Sequence, residues 1–233
     1  TIDFGPCAFL DTYDPATVFS SIDETGRYAF ANQPLIAQWN LARLAESLLE
    51  LIDPDPAVAV ALANGGIEGF WPGFQAELLA VGRAKLGLAT EAPGDLELVK
   101  RLLDQMRDGR ADFTLTFRRL ADLVEADAPQ AGLAATPAEA LPLADWLEAW
   151  RQPLAAEPPL APGARAAAMR RVNPAVIPRN AWVEAALTAA VEQGDLAPYE
   201  RLRAVLAQPF ETPADPAFVA PPPALQQPYR TFC

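Results

Sequence analysis

From residue 33 onward the apolar residues recur at intervals of three and four and almost nowhere alternate, which confines the chain to a mainly helical fold. Leu41, Leu44, Leu48 and Leu51 set the pattern at 3-4-3 spacing, and Leu35, Trp39, Leu49 and Ile52 widen the stripe. Asn32-Gln33-Pro34 supplies an N-cap residue and a first-turn proline, so the pattern predicts a core helix over 33–52. Asp53-Pro54-Asp55-Pro56 ends it. The same reading predicts helices over 56–64 and 67–86, interrupted at Gly65-Gly66 and closed by Gly87. Further helices are expected over 95–108, 111–126, a short stretch carrying Trp146, Leu147 and Trp150, then 163–171, 180–193 and 198–207. Prolines number 24 in 233 residues, about twice the usual ~5%. They cluster in the segments 127–142 and 153–163, read as surface connections, and in a tail over 209–233, read as extended. The expected organisation is a loop-rich segment over 1–31, a helical body over 32–208 and the tail over 209–233. The first residues, Thr1-Ile2-Asp3, read as a strand end running into a turn, as in a chain cut from something longer.

Histidine is absent, which removes Ser-His-Asp and Cys-His nucleophile systems and His-containing zinc sites. A net charge of -12 leaves no basic stripe for a nucleic acid and repels an anionic membrane surface. Cys7 and Cys233 lie near opposite ends and form no Cys-x-x-Cys metal motif. No apolar run approaches the roughly 18 residues that span a bilayer, and the start lacks the layout of a signal peptide. These features predict a cytoplasmic protein with neither nucleic acid nor membrane as partner.

Asp3-Phe4-Gly5 matches the protein-kinase tripeptide in which the Asp carboxylate holds Mg²⁺ against nucleotide phosphates. A strand end delivers a hard oxygen ligand, Phe anchors the turn, and Gly allows the chain to bend away. Three residues alone also fit an Asp-turn-Gly without function. No Ala-Pro-Glu follows, and Pro6 stiffens the loop. The wider text is more specific. TIDFGPCAFLDTYDP, GRYAFANQPLIAQWNLARLAESLLELI over 26–52, NPAVIPRNAWVEAAL over 173–187 and the terminal Cys after Tyr-Arg-Thr-Phe together resemble the selenoprotein O family.

The resemblance covers essentially the whole chain and corresponds to the C-terminal part of such a protein. It implies the helical C-terminal lobe of a kinase-like fold, in which 1–31 holds the metal-site strand and an activation-loop-like segment. The implied reaction is AMP transfer from ATP to Ser, Thr or Tyr hydroxyls of proteins, with Mg²⁺ or Mn²⁺ as cofactor. Asp3 would be the metal- and nucleotide-contacting carboxylate. The general base is expected upstream of Thr1, with a second metal ligand and the groups that hold the phosphates. An N-terminal lobe of the same protein is therefore an implied partner, and the chain by itself is expected to be inactive. Cys233 falls where the family has its terminal selenocysteine or cysteine, which makes it a redox candidate; a plain terminal thiol is the other reading. A kinase-type phosphotransferase and a non-catalytic helical interaction module remain alternatives.

Other residues have two readings each. Arg27 and Arg179 could reach an anion, but pairing with one of the 30 acidic residues is the expectation. Asn32 and Asn180 are expected as helix caps rather than ligands. Asp11, Asp14 and Asp23 could ligate a metal or contact a protein substrate, and are expected as solvated loop carboxylates. Trp39 and Trp182 are expected in the core.

Overall fold

The computed structural model describes residues 9–126 and 143–221. Among these the chain is mainly helical and contains no strand, only an isolated antiparallel bridge between Thr12 and Asp112. The expected N-terminal strand end, the expected connection over 127–142 and residues 222–233 of the tail lie outside the described residues; the described start of the tail is not simply extended, since Pro216–Phe218 forms a 3-10 turn whose Ala217 amide is capped by the Asp215 carboxylate. The described chain divides into two compact units, one of residues 15–80 and one of residues 9–14, 81–126 and 143–221.

In the first unit the loop before the first helix is ordered by its own backbone. Asp23 accepts hydrogen bonds from the Arg27 and Tyr28 amides at 2.8 and 2.7 Å. Phe30 N–H donates to Thr17 O at 2.9 Å, and Ala31 N–H to Pro15 O at 3.0 Å. Helix α1 runs over Gln33–Ile52, as its periodicity predicts. Asn32 precedes it but makes no side-chain cap; its Nδ2 donates to Gly26 O at 2.8 Å and closes the loop instead. Helix α2, Pro56–Glu68, starts on a true cap, with the Asp55 carboxylate accepting from Ala57 N at 2.8 Å. It continues through Gly65-Gly66, and the break falls at Gly69 before α3, Phe70–Leu86. A helix tolerates interior glycine at about 0.5–1 kcal/mol each, so the pair weakens α2 without ending it. Trp71 Nε1 donates to Gln38 Oε1 at 2.8 Å and ties the start of α3 to α1.

The expectation of a core helix over 33–52 is not met. Helix α1 packs on α2, yet it has no buried residue. In its C-terminal half the half-buried positions are Ala42, Ala45, Leu49 and Ile52, whereas the neighbouring stripe Leu41, Leu44, Leu48 and Leu51 is exposed. Trp39, expected in the core, is 47% exposed. Periodicity fixes which residues share a face, but burial needs a second surface on that face.

The second unit has a conventional core. Helix α4, Asp95–Asp108, buries Leu98, Val99, Leu102 and Met106, and α5, Phe113–Ala126, buries Leu115, Phe117, Leu120, Ala121 and Leu123. Helix α6, Ala144–Ala156, buries Trp146 and Trp150 completely, with their rings stacked 5.5 Å apart. Their indole N–H groups donate to Leu98 O and Leu86 O, both at 2.9 Å, so neither polar atom is left unpaired. Pro153 stands inside α6 rather than in a connection after it. It lacks a donor, but its carbonyl still accepts from Glu157 N. Helix α7, Ala164–Val172, packs on α5. Arg118 caps its C-terminus, Nη1 donating to Arg170 O and Asn173 O at 3.1 and 3.0 Å. Helices α8, Asn180–Gln193, and α9, Ala197–Leu206, form a packed pair.

Candidate functional site

The functional residues expected from sequence, Asp3 and Cys233, lie outside the described residues. What the structure describes is the strap that follows the Asp3-Phe4-Gly5 motif and how the second unit holds it. Leu10 and Tyr13 flank Asp11 and Thr12, and these two apolar residues are buried. The backbone is fixed on both sides: Tyr13 N–H donates to Ala111 O, and Phe113 N–H to Asp11 O, each at 2.8 Å. The Tyr13 ring stacks on Phe113 at 5.6 Å.

At the centre stands Arg179, 1% exposed, immediately before α8. Its Nη1 donates to Asp11 Oδ1 and contacts Asp112 Oδ2, both at 2.7 Å. Asp112 uses its other oxygen to accept from Leu115 N at 2.8 Å and so caps α5. One guanidinium thereby joins the strap, the start of α5 and the start of α8. Burial alone would pull the Arg179 guanidinium down, but Asp112 and Asp11 outweigh it and hold it above its ordinary value. Asp11 shares that cation with Asp112, and burial keeps its carboxyl above the usual value against the pull of Arg179. The Arg179 Nε is buried without a hydrogen-bond partner among the described residues.

Arg179 is thus paired with carboxylates, as expected, and Asp11 is an ion-pair member rather than a solvated or metal-binding group. Asp23 is spent on backbone amides. Asp14 also has an interaction of its own. Arg27 departs from its expected pairing: its guanidinium lies over the Trp39 ring, 4.7 Å from the centroid, because the exposed indole offers a π face within reach. Asn180 is the first residue of α8 and makes no cap, Arg179 occupying the cap position. Trp182 is half-buried, its ring 5.7 Å from Phe218.

The role of Asp112 as the cap of α5 has one local signal, an Asp directly before a helical apolar pattern, while its pairing with Arg179 has none. Two further groups, Lys85 half-buried and Glu157 buried, carry no local signal. Lys85 donates to Asn173 Oδ1 at 3.1 Å and sits 5.0 Å from the Phe117 centroid, where burial pushes its ammonium below the ordinary value. Glu157 accepts from Ala89 N, Thr90 N and Arg165 at 2.7, 2.9 and 2.6 Å; burial raises its carboxyl, but these donors prevail and leave it low. Both join residues far apart in sequence. Among the described residues, no group of three or more Cys, Asp and Glu is placed to hold a metal ion. An apolar cavity of about 480 Å³ lies along α8 and α9, walled by Val183, Leu187, Leu202 and Leu206. Its lining includes Arg203 but no carboxylate.

Comparison with known proteins adds the family context. Residues 1–207 match the family described as "Protein adenylyltransferase SelO". The chain is similar to the protein nucleotidyltransferase YdiU of Rhizobium etli (strain CIAT 652), 56% identical with 100% of this chain and 47% of that protein covered. YdiU of Rhizobium meliloti (strain 1021) is 52% identical, with 100% and 48% covered. YdiU of Bradyrhizobium sp. (strain ORS 278) is 50% identical, with 100% and 47% covered. The chain therefore spans about half the length of the curated relatives it matches.

Proposed function

Because the chain belongs to the SelO family of protein adenylyltransferases, we propose that it is the C-terminal, kinase-like helical portion of a cytoplasmic enzyme that transfers AMP from ATP to Ser, Thr or Tyr hydroxyls of proteins. The observation that carries this reading is the family match over residues 1–207, which takes in Asp3-Phe4-Gly5. In the reaction proposed, a protein hydroxyl oxygen bonds to the α-phosphorus of ATP as the bond to the bridging oxygen breaks and pyrophosphate leaves. The hydroxyl proton passes to a carboxylate expected upstream of Thr1. The described carboxylates do not fit a metal centre, since Asp11 is held by Arg179 and Asp23 by amides. Within this chain Asp3 is the carboxylate that would hold a divalent cation, Mg²⁺ or Mn²⁺, against the nucleotide, where the cation would neutralise phosphate charge.

The described residues contribute positioning. Residues 10–13, a few positions after the motif, are fastened to the second unit through Leu10, Asp11 and Tyr13.

The test is Asp3→Ala in the full-length protein, followed by transfer of labelled AMP, product analysis and thermal melting. We expect transfer to fall by about 10²-fold or more, with stability changed by less than about 1 kcal/mol. Normal transfer with a normal melt would remove Asp3 from the site and favour an interaction module. Release of ADP instead of pyrophosphate would make the protein a phosphotransferase.

A further inference from the structure

Helix α8 gives Val183 and Leu187, and α9 gives Tyr199, Leu202, Arg203 and Leu206, to the walls of the apolar cavity of about 480 Å³. The two α8 residues are four apart and the α9 residues follow 3-1-3 spacing, so each set lies on one helix face and the cavity is the space between the two faces. Its volume is that of a small-molecule site, roughly 300–1,000 Å³. From Tyr199 to Leu206 it follows α9 for about 10 Å, at 1.5 Å per residue. The two helices pack on each other, yet Leu187 and Tyr199 remain 51% and 49% exposed. The pair therefore closes without filling this stretch, and its aliphatic walls lack the contacts that an apolar ligand would restore. The polar content of the cavity is small and of one kind. Arg203 and Tyr199 are the polar members of the described lining, which contains no carboxylate; Glu184 and Glu200, next in sequence to lining residues, are not among them. Arg83, Arg165 and Arg179 each meet a carboxylate within 2.9 Å, whereas the Arg203 side chain has no ion pair or hydrogen bond among the described residues.

We propose that the cavity between α8 and α9 binds a small amphipathic anion, an aliphatic monocarboxylate whose alkyl chain lies against the leucine and valine walls. The walls select the body, since burial of each methylene is favourable and no buried acceptor or donor has to be matched along the chain. Arg203 selects the head. A guanidinium presents a planar fork of N–H donors that fits a carboxylate on two points, and Tyr199, one turn earlier on the same face, brings a phenol O–H to the same end. A single guanidinium matches a single negative charge, and a chain of net charge -12 penalises a second one. A cationic head would meet Arg203 with no carboxylate in the described lining to offset it, and an uncharged head would gain the walls alone. The cavity shares no residue with the clamp formed by Asp11, Asp112 and Arg179, and the proposal uses neither Asp3 nor AMP transfer.

The experiment is calorimetric titration of the full-length protein with decanoate, decanol and decylamine, each kept below the concentration at which it aggregates. Decanoate should bind saturably at one molecule per chain, decanol about 10-fold more weakly, and decylamine more weakly still. Arg203→Gln should lower the affinity for decanoate by about 10-fold and leave that for decanol unchanged. Leu187→Trp should weaken decanoate and decanol alike by filling the cavity; the position is half exposed, so the larger ring does not have to enter a packed core. Thermal melting of both variants shows that they fold. Absence of saturable decanoate binding, as when another segment or a partner helix occupies the cavity, would overturn the proposal. Equal affinity for decanoate and decanol would overturn the choice of an anion, and decanoate binding that neither substitution changes would place the ligand elsewhere and overturn the site. Binding is read whether or not the protein transfers AMP, so an inactive protein that takes up decanoate in this pattern would sink the proposed reaction and leave this site standing.

Discussion

Arg179 is the residue on which the most distant parts of the second unit converge, and its surroundings make its removal asymmetric. Arg179→Met would leave Asp11 and Asp112 facing each other with no cation between them, and breaking a buried pair in this way costs about 3–5 kcal/mol. Asp11→Asn should cost far less, about 1 kcal/mol. The amide oxygen still accepts the Nη1 hydrogen bond, and the penalty that burial places on the Asp11 carboxylate disappears. Chemical denaturation of the full-length variants measures both, and equal losses would show that the guanidinium is not the centre of the clamp. The pairing of Arg179 follows from composition, because acidic residues outnumber basic ones 30 to 18. Its partners do not. Asp11 and Asp112 lie 168 and 67 positions away, and no local pattern encodes contacts at that separation.

At the scale of elements the sequence is most legible. The boundaries of α1, α4 and α8 coincide with the periodic stretches 33–52, 95–108 and 180–193, since apolar spacing and cap residues act within a turn or two. Structure and expectation part at breaker residues that the helices absorb. Gly65-Gly66 and Pro153 each sit inside a helix, because the cost of one glycine or of one lost donor is smaller than the sum of the neighbouring turns. Glycines in these helices should accordingly respond in opposite ways to alanine. Gly65→Ala should stabilise α2 of the 233-residue chain by about 0.5–1 kcal/mol, since its Cβ enters open space. Gly82→Ala in α3 should destabilise by about 1–3 kcal/mol, because its Cβ would stand 2.8 Å from Val99 Cγ2 in the packed core. Thermal melting followed by circular dichroism distinguishes them, and a shared sign would mean that propensity rather than packing governs both sites. Gly87 is different again, as its φ of +71° ends α3 in the left-handed region that glycine occupies without strain.

For the whole molecule, the 233-residue chain is expected to bind ATP-Mg²⁺ too weakly to register at low-micromolar concentration. Its described residues hold no metal cluster, and one carboxylate at Asp3 cannot offset the desolvation of a triphosphate. Calorimetric titration checks this, and low-micromolar binding would place a nucleotide site within the chain. Helical class, the limits of α1, α4 and α8 and the family resemblance are present in the linear text, because each depends on residue identity at short range or on order along the chain. Which apolar stripe is covered, which carboxylates meet Arg179 and which of α1's faces is left open were decided only by tertiary structure. Leu41, Leu44, Leu48 and Leu51 have the spacing of a core helix and are nonetheless exposed, since burial depends on where other segments come to rest and not on the stripe itself.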